Sequence, residues 1–249
     1  MITALVLFVV VLITHYFPNI PLVQDFFNNK GASWVKIYLE FMLKALQKIS
    51  LLKGEMAAVL VILPVITITY LINNLFHLLL KEWGEMFFMA ATFYYCLSCN
   101  VDEDEHGSIL ILAHEHIFGI LFWFVIFGAT GAIFYWLLTV SKAVSYRMVT
   151  NMTNFERGIS VIHGLAAWLP ARVTGFIYAL VGNFTAGFNC WHSYLKEVTV
   201  PSSKVLLDCG QASLDLISRQ DEEALVKRAL VAWVLLGILI ALIISEVKL

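Results

Sequence analysis

The chain has 249 residues, of which 60% are hydrophobic and only 14% charged, and its mean hydropathy is +0.83. A soluble domain carries about 25% charged residues, so this balance excludes an ordinary water-soluble globule and points to an integral membrane protein. A formal net charge of -2 argues against a nucleic-acid partner, which calls for a basic face.

Length is best counted in crossings, each needing roughly 20 apolar residues to match a ~30 Å hydrocarbon core. Met1 to Phe17 is a continuous apolar run that stops at Pro18. It is predicted as the first span, and as a retained anchor, because no basic segment precedes it and no small-residue cleavage site follows. Residues 34–53 place Lys36, Glu40, Lys44, Gln47 and Lys48 at helical spacing among aromatic and aliphatic side chains. That is the pattern of an amphipathic helix lying on the membrane surface.

Spans are predicted over 56–80, with Pro64 as a kink, and over 84–99, joined in a helical hairpin through Lys81, Glu82 and Trp83. After the acidic stretch NVDEDEHGS and the short ILILAHEH, residues 117–140 form the next predicted span. Its Gly128, Gly131 and Ala132 would let a neighbouring helix approach closely. Residues 158–190 are long enough to cross but carry Pro170, which removes a backbone donor and frees the carbonyl four residues earlier. The segment is therefore predicted to be broken near Pro170, either as a crossing or as a re-entrant pair of half-helices, with Gly182 as a further structural glycine. A second amphipathic segment is expected over 203–218 and a last span over 229–245. The expectation is an all-α, polytopic membrane protein with about five to six transmembrane helices and one Pro-broken helix, in a single membrane domain over 1–249 with the lipid bilayer as its solvent. If 158–190 crosses, most Lys and Arg residues fall on the side of residues 30–53 and 196–228, which is then the cytoplasmic side.

Arg172 leads the candidate functional residues, because a guanidinium at membrane depth costs several kcal/mol unless paired or hydrated. In one reading a half-helix beginning at Pro170 aims its positive end and Arg172 at an anion. In the other, Arg172 snorkels to lipid phosphate. His163, Trp168, Tyr178 and Asn183 accompany it as candidate ligand-binding residues, while Trp168 and Tyr178 also suit interfacial anchoring. His114, Glu115 and His116 invite a metal reading, but His-x-His sends its two imidazoles to different faces of a helix, whereas HExxH brings both to one face. Cys96 and Cys99, with His106, make a weak metal candidate, since one CxxC pair supplies only two ligands. The four cysteines, which include Cys190 and Cys209, are too scattered for a disulfide framework and read as mostly free thiols. No phosphate loop, nucleophile elbow or dinucleotide fingerprint is present, so neither a cofactor nor a catalytic residue is assigned.

Two stretches, HEHIFGILFWFVIFGATGAIFYWL (114–137) and WLPARVTGFIYALVGNFTAGFNCW (168–191), resemble the two signature regions of the AmpE family. These are inner-membrane proteins of Gram-negative bacteria, grouped with the CobD/CbiB membrane proteins of cobalamin synthesis, which carry a similar Pro-Ala-Arg-Leu-Thr motif. The order of elements is also similar. The chain departs from the pattern in three places. A longer soluble insertion before the FWF stretch is reduced to NVDEDEHGS, a Gly-Pro-Ala-Gly-Ala run appears as Gly128-Ala129-Thr130-Gly131-Ala132, and the Arg that often follows Tyr is Trp136. The resemblance implies a bacterial inner-membrane component of β-lactamase regulation and cell-wall (muropeptide) recycling, acting beside a muropeptide amidase; taken with the expected break near Pro170, it leads to the expectation that Arg172 and its neighbours bind an anionic partner, a cell-wall fragment or a lipid head group, and oligomers are compatible with it. Similarity to the CobD/CbiB group implies, as the alternative, an amide-forming enzyme of cobalamin biosynthesis. A discontinuous helix would also suit a small-molecule transporter, although no inverted repeat is present.

Overall fold

A computed structural model describes residues 33–47, 56–98, 108–147, 153–197, 199–214 and 219–247. The expected first span, the acidic stretch, Cys99 and His106 lie outside the described residues. Eight α-helices follow one another in this part of the chain: α1 (Ser33–Gln47), α2 (Met56–Ser98), α3 (Ile109–Ala113), α4 (Gly119–Arg147), α5 (Thr153–Val181), α6 (Phe184–Leu195), α7 (Ser202–Ala212) and α8 (Arg219–Val247). A π-helical turn, His114–Phe118, joins α3 to α4. No strand occurs among the described residues, as an all-α membrane protein requires.

The apolar periodicity explains which faces are buried. On α1, Val35, Leu39 and Leu43 recur every four residues and are buried, while Lys36, Ile37, Glu40, Phe41 and Lys44 are exposed. The described part of the amphipathic helix expected over 34–53 is Ser33–Gln47, and residues 48–53 lie outside the described chain. Tyr38 donates to the Val61 carbonyl at 2.7 Å, and Trp34 stacks on Trp136 at 6.0 Å between ring centroids, so α1 is fastened across α2 and α4. The exposed side chains of α2 include Leu63, Ile68, Leu71, Leu75, Leu78 and Phe87, a surface suited to lipid and not to water.

Three helical stretches among the described residues are long and apolar enough to cross a membrane: Met56–Ser98, Ile109–Ser145 and Phe155–Val181. This is fewer than the five to six crossings expected: the first expected span lies outside the described residues, 56–80 and 84–99 fall within the single stretch Met56–Ser98, and 229–245, inside α8, is not among the three. Two of the three stretches double back on themselves. At Lys81 the backbone takes φ 56, ψ -140. Across that point His77 Nδ1 lies 2.9 Å from Glu85 Oε2, and the rings of Phe76 and Phe88 stack at 5.4 Å, although in a straight helix residues eight and twelve apart are separated by about 12 and 18 Å. The hairpin expected through Lys81 is therefore present.

The second reversal, at Gly128 (φ 63, ψ -144), was not expected. Residues 117–140 do not run as one straight span. Trp123 meets Phe134 ring to ring at 5.5 Å, Gly119 lies against Tyr135, and Lys142 Nζ reaches Glu115 Oε1 at 2.8 Å. That last pair would be about 40 Å apart along an unbroken helix. The same device builds both reversals, with a glycine three residues past the pivot lying against a carbonyl five residues before it. A Cβ on Gly84 would sit 2.5 Å from the Phe76 oxygen, and one on Gly131 would sit 2.1 Å from the Trp123 oxygen. The close approach anticipated for Gly131 is thus to the chain's own preceding arm, whereas at Gly128 it is to a neighbouring helix, with Met89 Sδ of α2 3.2 Å from where a Cβ would sit.

A further correction concerns Pro170. α5 runs unbroken from Thr153 to Val181 with Pro170 inside it. The interruption in 158–190 falls instead at Gly182–Asn183, where Gly182 lies against the Ser213 carbonyl and any Cβ there would come within 2.3 Å of that oxygen. Asn183 starts α6 by accepting from the Ala186 N–H at 3.3 Å, and its own N–H donates to Ser213 O at 2.8 Å. Arg228 closes the end of α5 by donating to the Val181 carbonyl at 3.0 Å. Within the segment expected over 203–218, α7 covers Ser202–Ala212 with Val205, Leu206 and Cys209 buried, while residues 215–218 lie outside the described chain.

The two pivots have opposite chemistry. A side chain at positive φ with this ψ costs about 1–3 kcal/mol, so Lys81→Gly is expected to raise the thermal unfolding midpoint in detergent. Gly128→Ala is expected to lower it, and Gly131→Val to lower it further because its side chain must displace the Trp123 carbonyl. Equal midpoints for Gly128→Ala and wild type would contradict the reversal.

Candidate functional site

Pro170 leaves the carbonyl of Ala166 without its helical donor, and an unsatisfied carbonyl is costly in an apolar medium. Trp123 answers it from α4: its indole Nε1–H donates to Ala166 O at 3.1 Å. The carbonyl of Pro170 accepts in turn from the Thr174 hydroxyl at 2.8 Å. Both groups are satisfied without unwinding α5, which is why the helix persists through the proline.

Arg172 is 4% exposed and does not reach outward. Its Nη1 donates to Trp168 O at 3.2 Å and its Nη2 to Glu197 O at 3.0 Å, while the guanidinium carbon stands 4.1 Å from the centre of the Trp168 ring. Trp191 donates to the Arg172 carbonyl at 2.8 Å. Arg172 thus ties α5 to the end of α6 through carbonyl oxygens and a π face, and its Nε has no partner.

Trp168 separates Arg172 from a cavity of about 420 Å³ whose lining includes His114, Glu115, Lys142, Ser160, His163, Trp168, Thr199, Ser202 and Ser203. Four pieces of the fold meet there: the π turn, the returning arm of α4, the middle of α5, and the connection that enters α7. A π turn widens the helix locally and recurs at functional sites. Here the His114 N–H is shared between the carbonyls of Leu110 and Ile111, and the Leu110 carbonyl also accepts from Tyr178 at 3.1 Å. Lys142 and Glu115 pair across the cavity wall, joining the two arms of the Gly128 reversal. His163 is buried, with Nε2 3.4 Å from Thr139 Oγ1 and its ring 5.6 Å from that of Tyr135.

Proton placement at His114 follows from its neighbour. The Thr174 hydroxyl gives its proton to Pro170 O, so its oxygen accepts from His114 Nδ1–H at 3.3 Å. In the neutral ring Nε2 then carries a lone pair, and it is buried with no hydrogen-bond partner. The indole Nε1–H of Trp168 is likewise buried and unpartnered. Each such group costs about 1–3 kcal/mol and calls for an explanation such as a ligand, ion or water.

Of the residues singled out in the sequence, His163 and Trp168 line this cavity and Arg172 backs it. Tyr178 and Asn183 do not join them. Tyr178 is fully buried, edge-on to Phe118 at 6.2 Å, and holds the Leu110 carbonyl, which rules out interfacial anchoring. Asn183 is the exposed cap of α6. His114, weighed in the sequence only as a metal ligand, and Lys142, Ser202 and Ser203, not weighed at all, complete the lining. Among the described residues no group of three His, Cys, Asp or Glu side chains could hold a metal ion, and Cys96 is buried in α2.

Residues 94–246 match the family model described as "Regulatory signalling modulator protein AmpE", well over half of the chain. The chain belongs to the AmpE family. It is also 27% identical over 107 residues to the cobalamin biosynthesis protein CobD of Chromobacterium violaceum, covering 43% of this chain and 34% of that one. To the CobD protein of Stutzerimonas stutzeri it is 26% identical over 121 residues, or 46% and 40% of the two chains. To Protein AmpE of Shigella flexneri it is 25% identical over 121 residues, or 45% and 43%. These matches take in less than half the length of each relative. No solved structure matches the chain.

The AmpE-family chain can be probed at two places near this cavity. Trp123→Phe leaves the Ala166 carbonyl unsatisfied and is expected to cost about 1–3 kcal/mol of stability. In a Pro170→Ala background, which restores the helical donor, the same change should cost clearly less in a double-mutant cycle of unfolding midpoints. Below α5, Cys190 and Cys209 face each other at 3.4 Å between α6 and α7, beside the Tyr194 to Asp208 hydrogen bond. Burial pushes both thiols above their ordinary range, and the Asp208 carboxylate pushes the same way. Because the thiolate reacts, alkylation by iodoacetamide in a Cys96→Ala, Cys99→Ala background should be slower than for a free thiol at neutral pH. It should accelerate only as pH rises past the usual thiol range near ~8.5.

Proposed function

We propose that this AmpE-family chain is a multi-pass protein of the bacterial inner membrane, folded as one membrane domain. In this reading it modulates β-lactamase expression in step with muropeptide recycling, and its regulatory input is a small anionic ligand in the cavity between the π turn, α5 and α7. The observation that carries the reading is the cavity itself, about 420 Å³ with His114, His163, Trp168, Ser202 and Ser203 in its wall and two unpartnered buried polar atoms beside it. That volume lies in the range of small-molecule sites, about 300–1,000 Å³. The family description as a regulatory signalling modulator supports it further. Arg172 acts through Trp168, whose ring it holds against the cavity, and a cell-wall fragment released by an amidase is a ligand of suitable polarity.

The test is a strain lacking this chain, complemented with wild type, Trp168→Ala or Arg172→Ala. Both variants are expected to change β-lactamase induction and muropeptide levels several-fold while remaining inserted at wild-type abundance. Induction identical to wild type in both would remove the role given to this wall.

The two CobD relatives favour a second reading, a membrane enzyme of cobalamin biosynthesis that forms an amide on a corrinoid precursor. Under it, the chain restores growth to a cobinamide-synthase-deficient strain; failure of a well-expressed copy would count against it.

A further inference from the structure

The end of α7 that enters the cavity is left open. Pro201 precedes the helix at φ -57, ψ 140 and supplies no side-chain cap. Its carbonyl accepts from the Lys204 and Val205 N–H groups at 3.1 and 3.3 Å. The N–H groups of Ser202 and Ser203 have no such partner among the described residues, and both serines line the cavity. Free N–H groups at the start of an 11-residue helix carry partial positive charge and suit an anion. By itself a helix end would not make a site. The second observation is His114, 1% exposed, in the wall of the same cavity, with Nε2 unpartnered.

These two features ask for different things. The amides of Ser202 and Ser203 donate, so they want an acceptor, and an anionic one best. His114 Nε2 accepts, because Nδ1 holds the proton against Thr174, so it wants an O–H or N–H. Glu115 in the wall does not repel an anion strongly, since Lys142 pairs with it at 2.8 Å. Trp168 Nε1–H adds one more donor.

We propose that the cavity binds a small hydroxy-carboxylate, such as a sugar acid, whose carboxylate sits on the N–H groups of Ser202 and Ser203 and whose hydroxyl donates to His114 Nε2. A plain carboxylate leaves His114 unpartnered, and a neutral polyol offers the helix end only uncharged, weaker acceptors; a ligand with both groups serves both features at full strength. The inference rests on the cavity being the regulatory input and names its ligand class.

The experiment uses the full chain in nanodiscs and ligand-observed saturation-transfer NMR with three probes: gluconate, which has both groups; hexanoate, with the carboxylate alone; and sorbitol, with the hydroxyls alone. Gluconate is expected to bind saturably, more tightly than sorbitol by roughly tenfold or more, the worth of a hydrogen bond to a charged group, and more tightly than hexanoate by roughly threefold to tenfold, the worth of one between neutral groups. Ser202→Pro is the sharp variant, because proline fits the first position of a helix and removes only one N–H beyond what Ser202→Ala removes. Ser202→Pro should weaken gluconate roughly tenfold relative to Ser202→Ala, and His114→Phe should erase the preference for gluconate over hexanoate. Equal binding of the three probes, no binding of gluconate, or equal affinities for Ser202→Pro and Ser202→Ala would each overturn the proposal. Because binding is read on purified protein, the two ideas fail separately. Gluconate bound through these groups, with β-lactamase induction indifferent to the same variants, would end the regulatory reading and leave the site standing.

Discussion

Everything near the cavity depends on the chain turning back at Gly128. A helix of the length of Ile109–Ser145 would carry Glu115 and Lys142 to opposite ends; folded at Gly128, it sets them 2.8 Å apart in one wall. The turn demands a backbone conformation that glycine adopts without steric penalty, and a second glycine, Gly131, against which the Trp123 carbonyl can lie. The carbonyl of Trp123 is covered by Gly131 while its indole reaches Ala166, so one residue serves both the reversal and the proline in α5. The membrane core offers no water to absorb an error in either place.

Much of this was legible in the sequence, and the parts that were not share a cause. Composition fixed the class, and the spacing of Val35, Leu39 and Leu43 predicted α1 and its buried face. The hairpin at Lys81 could be read because the charged pair Lys81 and Glu82, followed by Trp83, interrupts an apolar run. Gly128 has no such marker: its neighbours are as apolar as the arms, and a glycine in a span reads first as a packing surface. Pro170 misled in the opposite direction. Its local chemistry does free a carbonyl, yet Trp123, far away in sequence, repairs the defect, and no local pattern encodes that contact. The break at Gly182–Asn183 was marked by the Gly-Asn pair, and the louder signal of the proline covered it.

The site shows the same division. His163, Trp168 and Arg172 stood out as polar or charged residues in an apolar window, and two of them line the cavity while the third braces it. Tyr178 and Asn183 stood out for the same reason, but one supports a carbonyl and the other caps a helix, because burial at helical depth and at a helix end impose different needs on the same polar atoms. His114 was read against a metal-binding pattern that it does not satisfy. Its role depends on Thr174, sixty residues on, giving its proton elsewhere. Ser202 and Ser203 carry no sequence signal beyond following a proline; their backbone amides matter, and any residue but proline would provide them.

The contacts of Arg172 close a ring. From the Trp168 ring the path runs through the guanidinium to the Glu197 carbonyl, then along the short connection to Ser202, and across the cavity back to Trp168. Arg172 is therefore a common support for residues on two sides of the cavity. The Trp168 indole in the cavity wall and the Glu197 carbonyl at the end of α6 are thus both held by one guanidinium. Arg172, buried with its hydrogen bonds spent on carbonyls, is the contact these two places share, so a change at this one side chain reaches both the cavity wall and the chain that leaves α6.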